Sequence, residues 1–186
     1  MVASQVSQLE RDGLTRRLVE TVRKAAAGDE VAFARLVHEF HPDMVRVAYV
    51  VAGDQQLALD AVQAAWTTAW QKLPSLRDPE RVRPWLVAVA ANAARQLIRR
   101  EHRHPVAEIR VDPTDDGGDS GRSIERIDLV NALNQLSPND RALLSMRYLL
   151  RLDAPEIAPL VGMSASGVRG RLSRIRDVLR RELRDD

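Results

Sequence analysis

The chain has 186 residues, of which 45% are apolar and 4% aromatic, and its formal net charge is +2 at pH 7. This length and apolar content suffice for one large or two small domains with aliphatic cores. The absence of cysteine excludes disulfides, thiolate zinc sites and a cysteine nucleophile. Because apolar residues recur with helical rather than alternating spacing, we expect an all-α protein.

The N-terminal part predicts a polar segment followed by two amphipathic helices. Residues 1–12 are polar, and we expect them to be disordered. The next helix ends at Gly28, and its apolar face carries Leu14, Leu18, Val22 and Ala25. Asp29 is a suitable cap for the second helix, in which we expect His41 and Pro42 to interrupt the apolar period before it resumes up to Gly53.

A third helix is predicted between Leu57 and Leu73, with two distinct faces. Its buried stripe consists of Ala58, Ala61, Val62, Ala65, Ala69 and Leu73. Its polar stripe consists of Asp60, Gln63, Thr67 and Gln71. We interpret Trp66, Trp70 and Trp85 as core residues rather than a stacking platform for nucleic acid, because Trp66 and Trp70 border the buried stripe.

A proline-bounded loop then leads to a fourth helix, which we expect to begin at Pro84 and to run to about Arg103. The side chains predicted to face inward are Leu86, Ala90, Ala93 and Leu97. Along the outer side of this helix lie Asn92, Arg95, Gln96, Arg99 and Arg103. With Arg81, Arg83 and Arg100 nearby, this stretch predicts the first of two basic surfaces.

Residues 104–123 are polar and acidic and lack a helical period, so we interpret them as a flexible acidic linker. The linker would join a first helical domain, residues 13–103, to a second, residues 124–186. In the second domain, Ser137 and Pro138 have the chemistry of a helix cap and a first turn. With two later helices, this domain is predicted to be a four-helix unit.

The most specific local pattern is a helix-turn-helix near the C-terminus. Asp153 and Glu156 have capping-box spacing for a short helix. Gly162 can adopt the left-handed conformation of the turn, and Ser164 can cap the second helix. The buried face of that second helix is predicted to carry Val168, Leu172, Ile175 and Leu179.

The other faces of this second helix are polar and basic, which suits a recognition helix in the major groove. The residues that we assign to DNA are Ser164, Ser166, Arg169, Gly170, Arg171, Ser173 and Arg174. The simpler alternative is a solvated basic face of an amphipathic helix. The capped turn and the preceding short helix favour DNA binding, because each cue is independent of the others.

Together these motifs resemble those of bacterial RNA polymerase sigma factors of the extracytoplasmic-function (ECF) type, the two-domain minimal form of the sigma-70 family. The Asp60 to Gln63 segment, followed by Trp66 and Trp70, resembles the helix with which the family binds the polymerase clamp. Residues 83–92, with Arg99 and Arg100, resemble its promoter-melting and minus-10 segment. Residues 136–148 and the helix-turn-helix resemble its minus-35 domain.

The resemblance implies that the protein binds core RNA polymerase, at the largest-subunit clamp coiled coil and the flap, and recognises promoter DNA. It assigns polymerase binding to Asp60, Gln63 and Thr67. It assigns the minus-10 element to Arg81, Arg83, Asn92, Arg95, Gln96, Arg99, Arg100 and Arg103, and the minus-35 element to the recognition-helix residues named above. An anti-sigma factor is a further implied partner. The chain departs from the family pattern at Pro159, which removes a backbone hydrogen bond from the first helix of the helix-turn-helix.

Two alternatives remain. A self-sufficient helix-turn-helix regulator with a sensing or dimerising first domain has no need of a second basic row along residues 92–103. An enzyme is disfavoured, because no nucleophile, base and orienting group can be assembled around the four histidines, and no catalytic residue, cofactor or metal is expected. No apolar run approaches the length of a bilayer-spanning helix, so we expect a cytoplasmic protein without membrane insertion.

Overall fold

The structure is a computed structural model that describes residues 2–101 and 129–183, with side chains described from residue 13 to 100 and from 129 to 183. The described residues form helices and turns without a strand, which confirms the all-α prediction. The helices are α1 Val2–Ala26, α2 Glu30–Ala52, α3 Gln55–Lys72, α4 Val82–Glu101, α5 at residues 129–134, α6 Pro138–Tyr148, α7 Ala154–Val161 and α8 Ala165–Glu182. The predicted linker, residues 104–123, lies outside the described residues.

The N-terminal half is built on α2, α3 and α4, which pack against one another in pairs, while α1 packs on α2. The predicted stripe of α3 is confirmed, since Ala58, Ala61, Val62, Ala65, Ala69 and Leu73 are all buried. Small alanine side chains let the helix axes approach closely, and larger residues of α2 such as Leu36, Met44 and Val47 fill the remaining core. The exposed face of α3 is thereby held in a fixed orientation.

The predicted disorder of residues 1–12 is not found, because α1 already begins at Val2. The segment contains no proline, and a helix that is anchored by the buried residues Val22 and Ala25 extends at little cost in the N-terminal direction. The predicted apolar face of α1 was wrong at Leu14, whose side chain is 65% exposed.

The predicted interruption at Pro42 was also wrong, because α2 runs unbroken from Glu30 to Ala52. Asp29 caps its start, as predicted, by accepting a hydrogen bond from the Ala32 amide, and Gly53 ends it in a left-handed conformation. A proline inside a helix costs about 3 kcal/mol. Apolar burial on both sides of Pro42, at Phe40 and Met44, accounts for the survival of the helix.

Helix α4 begins at Val82 rather than at the predicted Pro84, and its inward face was only partly predicted. Leu86 and Ala90 are buried as expected, whereas Ala93 and Leu97 are only partly buried. The fully buried residues of this helix also include Val87, Ala91, Ala94 and Ile98. The reason is that α4 packs against α2 and α3 on one side and against α6 on another, so no single stripe describes its burial.

The C-terminal half consists of α5 to α8, in which α6, α7 and α8 pack on one another. Helix α6 also packs against α2 and α4, so the two halves of the molecule are in direct contact. Pro159 does not break α7, which continues to Val161 and ends at the left-handed Gly162. Helix α6 thus carries the contact of the C-terminal half with α2 and α4.

Candidate nucleic-acid interface

The helix-turn-helix has the local geometry that the sequence predicts. Asp153 accepts a hydrogen bond from the Glu156 amide (2.9 Å), and Glu156 accepts one from the Asp153 amide (2.8 Å), which completes a capping box. Gly162 has φ 68° in the turn. Ser164 caps α8 by accepting a hydrogen bond from the Gly167 amide at 3.1 Å. The start of α8 is therefore fixed relative to α7.

Helix α8 buries one face and exposes a basic one. Val168, Leu172 and Ile175 are buried, which confirms most of the predicted stripe, and Leu179 is partly buried. Of the residues assigned to DNA, Ser164, Ser166, Arg169, Gly170 and Arg174 are exposed, and Arg171 and Ser173 are half-buried. Arg169 forms no ion pair with any residue that the structure describes. The first two turns of α8 thus present free donors to a ligand.

Two members of this surface differ in what they can offer to DNA. The Ser166 hydroxyl lies 3.1 Å from the Ser164 hydroxyl, so part of its hydrogen-bonding capacity is used at the cap. Gly170 has open space where a Cβ would stand, with no atom within 4 Å. The bare backbone at Gly170 allows a duplex to approach α8 closely.

Arg171 is held by an intramolecular ion pair with Asp140 of α6. Its Nε and Nη2 donate to the two carboxylate oxygens at 2.6 and 3.1 Å, a bidentate arrangement. Burial alone raises the pKa of Asp140, but hydrogen bonds from Arg171 and Ser137 outweigh it and hold that pKa below its ordinary value. The hydrogen bond to Asp140 in turn raises the pKa of Arg171. Arg171 is therefore available to DNA only if it exchanges partners.

The basic surface on α4 is partly exposed and partly covered. Gln96, Arg99 and Arg100 are exposed, and neither arginine forms an ion pair with another described residue. Arg95 donates to the Asn92 carbonyl and, across the contact between the halves, to the Asn139 side-chain carbonyl at 3.0 Å.

The environment of Arg95 is less favourable to charge than that of the exposed arginines of α4. Burial, and secondarily the charge of Arg99, lower its pKa. The guanidinium remains ionised, because an arginine pKa is far above neutrality. Arg103, the last member of the predicted row, lies outside the described residues.

The loop before α4 contains short 3-10 turns at Leu73–Ser75 and Pro79–Arg81. Arg81 is exposed and lies 3.5 Å from Asp78. Arg83 donates from Nε to Asp43 of α2 at 2.8 Å, which ties the loop to the helical core. Both arginines have an acidic partner, and Arg81, which is exposed, is the more accessible of the two.

The three residues assigned to polymerase binding lie together on the outer face of α3. Asp60, Gln63 and Thr67 are all exposed. Asp60 accepts a hydrogen bond from Gln56 at 3.2 Å, which orients its carboxylate. The next turn carries Trp70, which is 38% exposed and packs edge-on against Phe33. The prediction that Trp70 is a core residue was therefore wrong in part, because its partly exposed indole continues the polar stripe.

Sequence reasoning missed the residues of α6 that hold the arginines. Asn139 and Asp140 follow the Ser137 cap, so both have the appearance of ordinary first-turn residues. Their partners lie 44 and 31 positions away along the chain. No local spacing predicts such pairs.

In the described ranges, no group of three or more acidic, histidine or cysteine side chains is placed to hold a metal ion. His41 instead accepts a hydrogen bond from the Trp66 indole at 3.2 Å. None of the described helices is both long and apolar enough to cross a bilayer.

Comparisons with known proteins agree with this geometry. The family model of Sigma-70 region 2 matches residues 36–104, and that of Sigma-70 region 4 matches residues 126–179. The ECF RNA polymerase sigma factor SigL of Mycobacterium tuberculosis is 31% identical over 157 residues, which cover 79% of this chain and 86% of SigL. SigW of Bacillus subtilis, also an ECF sigma factor, is 24% identical and is covered over 95% of its length.

A longer relative and a solved structure complete the comparison. The chain is 29% identical to the probable RNA polymerase sigma factor RfaY of Xanthomonas campestris, but it spans only 45% of that protein's length. The sigma factor RpoE of Bartonella quintana, solved in complex with the anti-sigma factor NepR, superposes with a TM-score of 0.68. That superposition covers 83% of this chain and 98% of RpoE at 21% sequence identity, and supports the fold.

Two helical units, one with a capped helix-turn-helix and each with a basic face, define a DNA-binding protein of the transcription machinery. The chain belongs to the sigma-70 family and is an ECF-type sigma factor. Sigma factors bind core RNA polymerase and promoter DNA and act in transcription initiation.

Proposed function

We propose that this chain docks on the clamp coiled coil of core RNA polymerase through α3, with the flap as a second contact, and selects promoters with two separate surfaces. The loop before α4 and the outer side of α4 bind the minus-10 element, and α8 binds the minus-35 element. The observation that carries the proposal is the presence of exposed, unpaired arginines on both α4 and α8, at Arg99, Arg100 and Arg169.

For this function we propose two domains, residues 13–103 and residues 124–186, joined by a linker of residues 104–123. The family matches at residues 36–104 and 126–179 support this division. Twenty coil residues average about 25 Å end to end and reach about 70 Å when extended. Two helical turns of DNA span about 70 Å, so one tether of this length serves both promoter elements.

At the upstream element, α8 would enter the major groove with its N-terminal turns. Arg169 and Arg174 are placed to reach base edges or phosphates, and Gly170 allows close approach of the backbone. Ser164 and Ser173 add hydroxyl donors to phosphates on either side of the groove.

At the downstream element, the proposed contact is with a strand that has left the duplex. Removing a base from the stack costs a few kcal/mol. Arg81 on the loop and Arg99 and Arg100 on α4 offset this cost by holding the exposed backbone. The surface performs no bond chemistry, and we propose that the protein is not itself an enzyme and acts in the cytoplasm.

Polymerase binding is assigned to Asp60, Gln63 and Thr67, because they form one exposed stripe on a helix whose other face is buried. A helix-to-helix contact of this kind draws its specificity from satisfied polar groups. We propose an anti-sigma factor as a further partner, and the RpoE and NepR complex, a relative in fold, supports this assignment.

The experiment that tests the proposal is in vitro transcription with core RNA polymerase across a library of genomic promoter fragments. We expect transcripts from a defined subset of fragments only when both the chain and core polymerase are present. Specific DNA binding by the chain without any polymerase-dependent transcript would instead identify a self-sufficient helix-turn-helix regulator.

A further inference from the structure

The recognition helix α8 is attached to α6 by a directional ion pair as well as by apolar packing. Val168, Leu172 and Ile175 of α8 are buried in the core. Apolar burial stabilises this contact but has no preferred direction, so by itself it does not fix the rotation of one helix against another. The bidentate pair of Arg171 with Asp140 has a defined geometry and therefore restricts that rotation.

The Asp140 carboxylate is also held from within its own helix. Ser137 Oγ accepts a hydrogen bond from the Asp140 amide at 3.2 Å and donates one to Asp140 Oδ2 at 2.7 Å. The Asp140 side chain is 16% exposed, whereas that of Asp177, which pairs with Arg180 inside α8, is 61% exposed. The pair of Asp140 with Arg171 is therefore less screened by solvent and held by more hydrogen bonds than the surface pair of α8.

Arg171 points away from the exposed residues that we assign to the major groove. Successive residues of an α-helix are rotated by about 100° around its axis. Arg171 therefore lies about 60° from the buried Val168 and about 160° from the exposed Arg169. A duplex that faces Arg169 lies on the side of α8 away from Arg171.

Arg174, one turn after Arg171, has a different environment. It is exposed and forms no ion pair with another described residue. Burial raises the pKa of Asp140, but the hydrogen bonds of Arg171 and Ser137 and the charges of both arginines outweigh it. Of the two arginines, only Arg171 is bonded to Asp140, so Arg174 keeps its donors for a ligand.

We propose that Ser137, Asp140 and Arg171 form a bridge between α6 and α8 that sets the angle of the recognition helix, with Arg171 as a positioning residue and not a DNA contact. The exposed Arg169 and Arg174 contact the upstream element, and Arg171 acts through them. This inference rests on the proposed function, because it requires α8 to bind that element. Loss of the bridge should reduce the discrimination between promoters.

The bridge is tested in the assembled complex of core polymerase with the full chain. Affinity is measured for a promoter duplex that the transcription library identifies, and for the same duplex with one base pair substituted in the upstream element. We expect Asp140→Asn and Arg171→Lys each to lower the ratio of the two affinities about three- to tenfold. Lysine keeps the positive charge of Arg171 but cannot form the bidentate pair.

The ratio separates positioning from a loss of stability. Partial unfolding lowers the active fraction equally for both duplexes and leaves their ratio unchanged. Arg171→Lys, which lies outside the buried stripe of α8, carries the test if Asp140→Asn fails to fold. A ratio at the parent value in folded Arg171→Lys would overturn the bridge.

The double variant Asp140→Asn with Arg171→Lys separates positioning from direct contact. If Arg171 acts through Asp140, the double variant should lose no more discrimination than either single variant. Losses that multiply would show that Arg171 contacts DNA by itself. A gain in affinity for the identified promoter from Asp140→Asn would show that Asp140 competes with DNA for Arg171. Either result would overturn the bridge.

Asp177→Asn is the matched control, because it makes the same change in the exposed pair with Arg180. The affinity ratio should stay at the parent value in this variant, and an equal fall would assign the effect to charge alone and refute the bridge. If the parent complex does not discriminate between the two duplexes, the proposed role of α8 fails. If the parent discriminates and the bridge variants do so equally well, only the bridge fails.

Discussion

At the scale of single residues, two positions have an unfavourable residue for their backbone conformation, Gly170 and Arg151. Gly170 lies in the interior of α8, where glycine is about 1 kcal/mol less favourable than alanine. Its missing Cβ faces open space rather than a neighbouring helix. The packing of the protein therefore does not require glycine there, whereas the close approach of DNA that we propose for α8 benefits from a bare backbone.

We predict that Gly170→Ala stabilises the fold and weakens binding to the upstream element. The expected gain of about 1 kcal/mol corresponds to a rise of about 2–4 °C in the thermal midpoint. Calorimetry and a duplex binding assay measure the two effects. A gain in stability with unchanged affinity would show that the backbone at Gly170 does not approach DNA.

Arg151, in the turn between α6 and α7, is a position of backbone strain. Its φ of 58° makes it the one non-glycine residue of the described chain with a left-handed backbone. That conformation costs about 1–2 kcal/mol for a residue with a Cβ. We predict that Arg151→Gly raises the free energy of unfolding by about 0.5–1 kcal/mol, because relief of strain exceeds the added entropy of the unfolded chain.

The matched control is Arg151→Ala, which removes the same side chain but keeps the Cβ and hence the strain. Urea unfolding of both variants separates the two contributions. If the alanine variant were as stable as the glycine variant, the side chain rather than the backbone conformation would explain the change.

At the scale of helices, local patterns predicted most of the fold. The alanine stripe of α3, the caps Asp29 and Ser164 and the capping box at Asp153 were all predictable, because they depend on residues within one or two turns. The continuity of α2 through Pro42 was not predictable, because tertiary burial on both sides outweighs the local cost of a proline inside a helix. The burial pattern of α4 was not predictable either, since it depends on contact with α6 from the other half of the chain.

The candidate site was predicted in its positions but not in its pairings. The exposed residues of α3 and α8 follow from helical periodicity, and the structure places Asp60, Gln63 and Arg169 on open faces. The partners of Arg95 and Arg171 come from α6, which no spacing in the sequence indicates. Contacts of this kind depend on how helices dock, and docking is set by the whole core.

The outer face of α3 gives a prediction about polymerase binding. We expect Asp60→Ala with Gln63→Ala to weaken binding to core polymerase about tenfold, because two polar contacts are lost at an interface helix. The thermal midpoint should change little, since both side chains are exposed. Gln55→Ala at the start of the same helix is the control. Wild-type affinity in the double variant would remove α3 from the interface.

At the scale of the whole molecule, the two halves are in contact through α6, yet the proposed function requires them to act about two helical turns of DNA apart. The Arg95–Asn139 hydrogen bond joins the two halves and must break when they separate, whereas the Arg171–Asp140 ion pair lies within the C-terminal half and does not oppose their separation.

The central claim is that one chain binds a promoter through two independent basic surfaces. The most direct measurement is a footprint of the complex between core polymerase, this protein and a promoter, compared between Arg169→Ala and the double variant Arg99→Ala with Arg100→Ala. We predict that the first loses protection only upstream and the second only downstream, where strand opening is also reduced. Loss of protection over the same region of DNA in both variants, or full protection in both, would contradict the account.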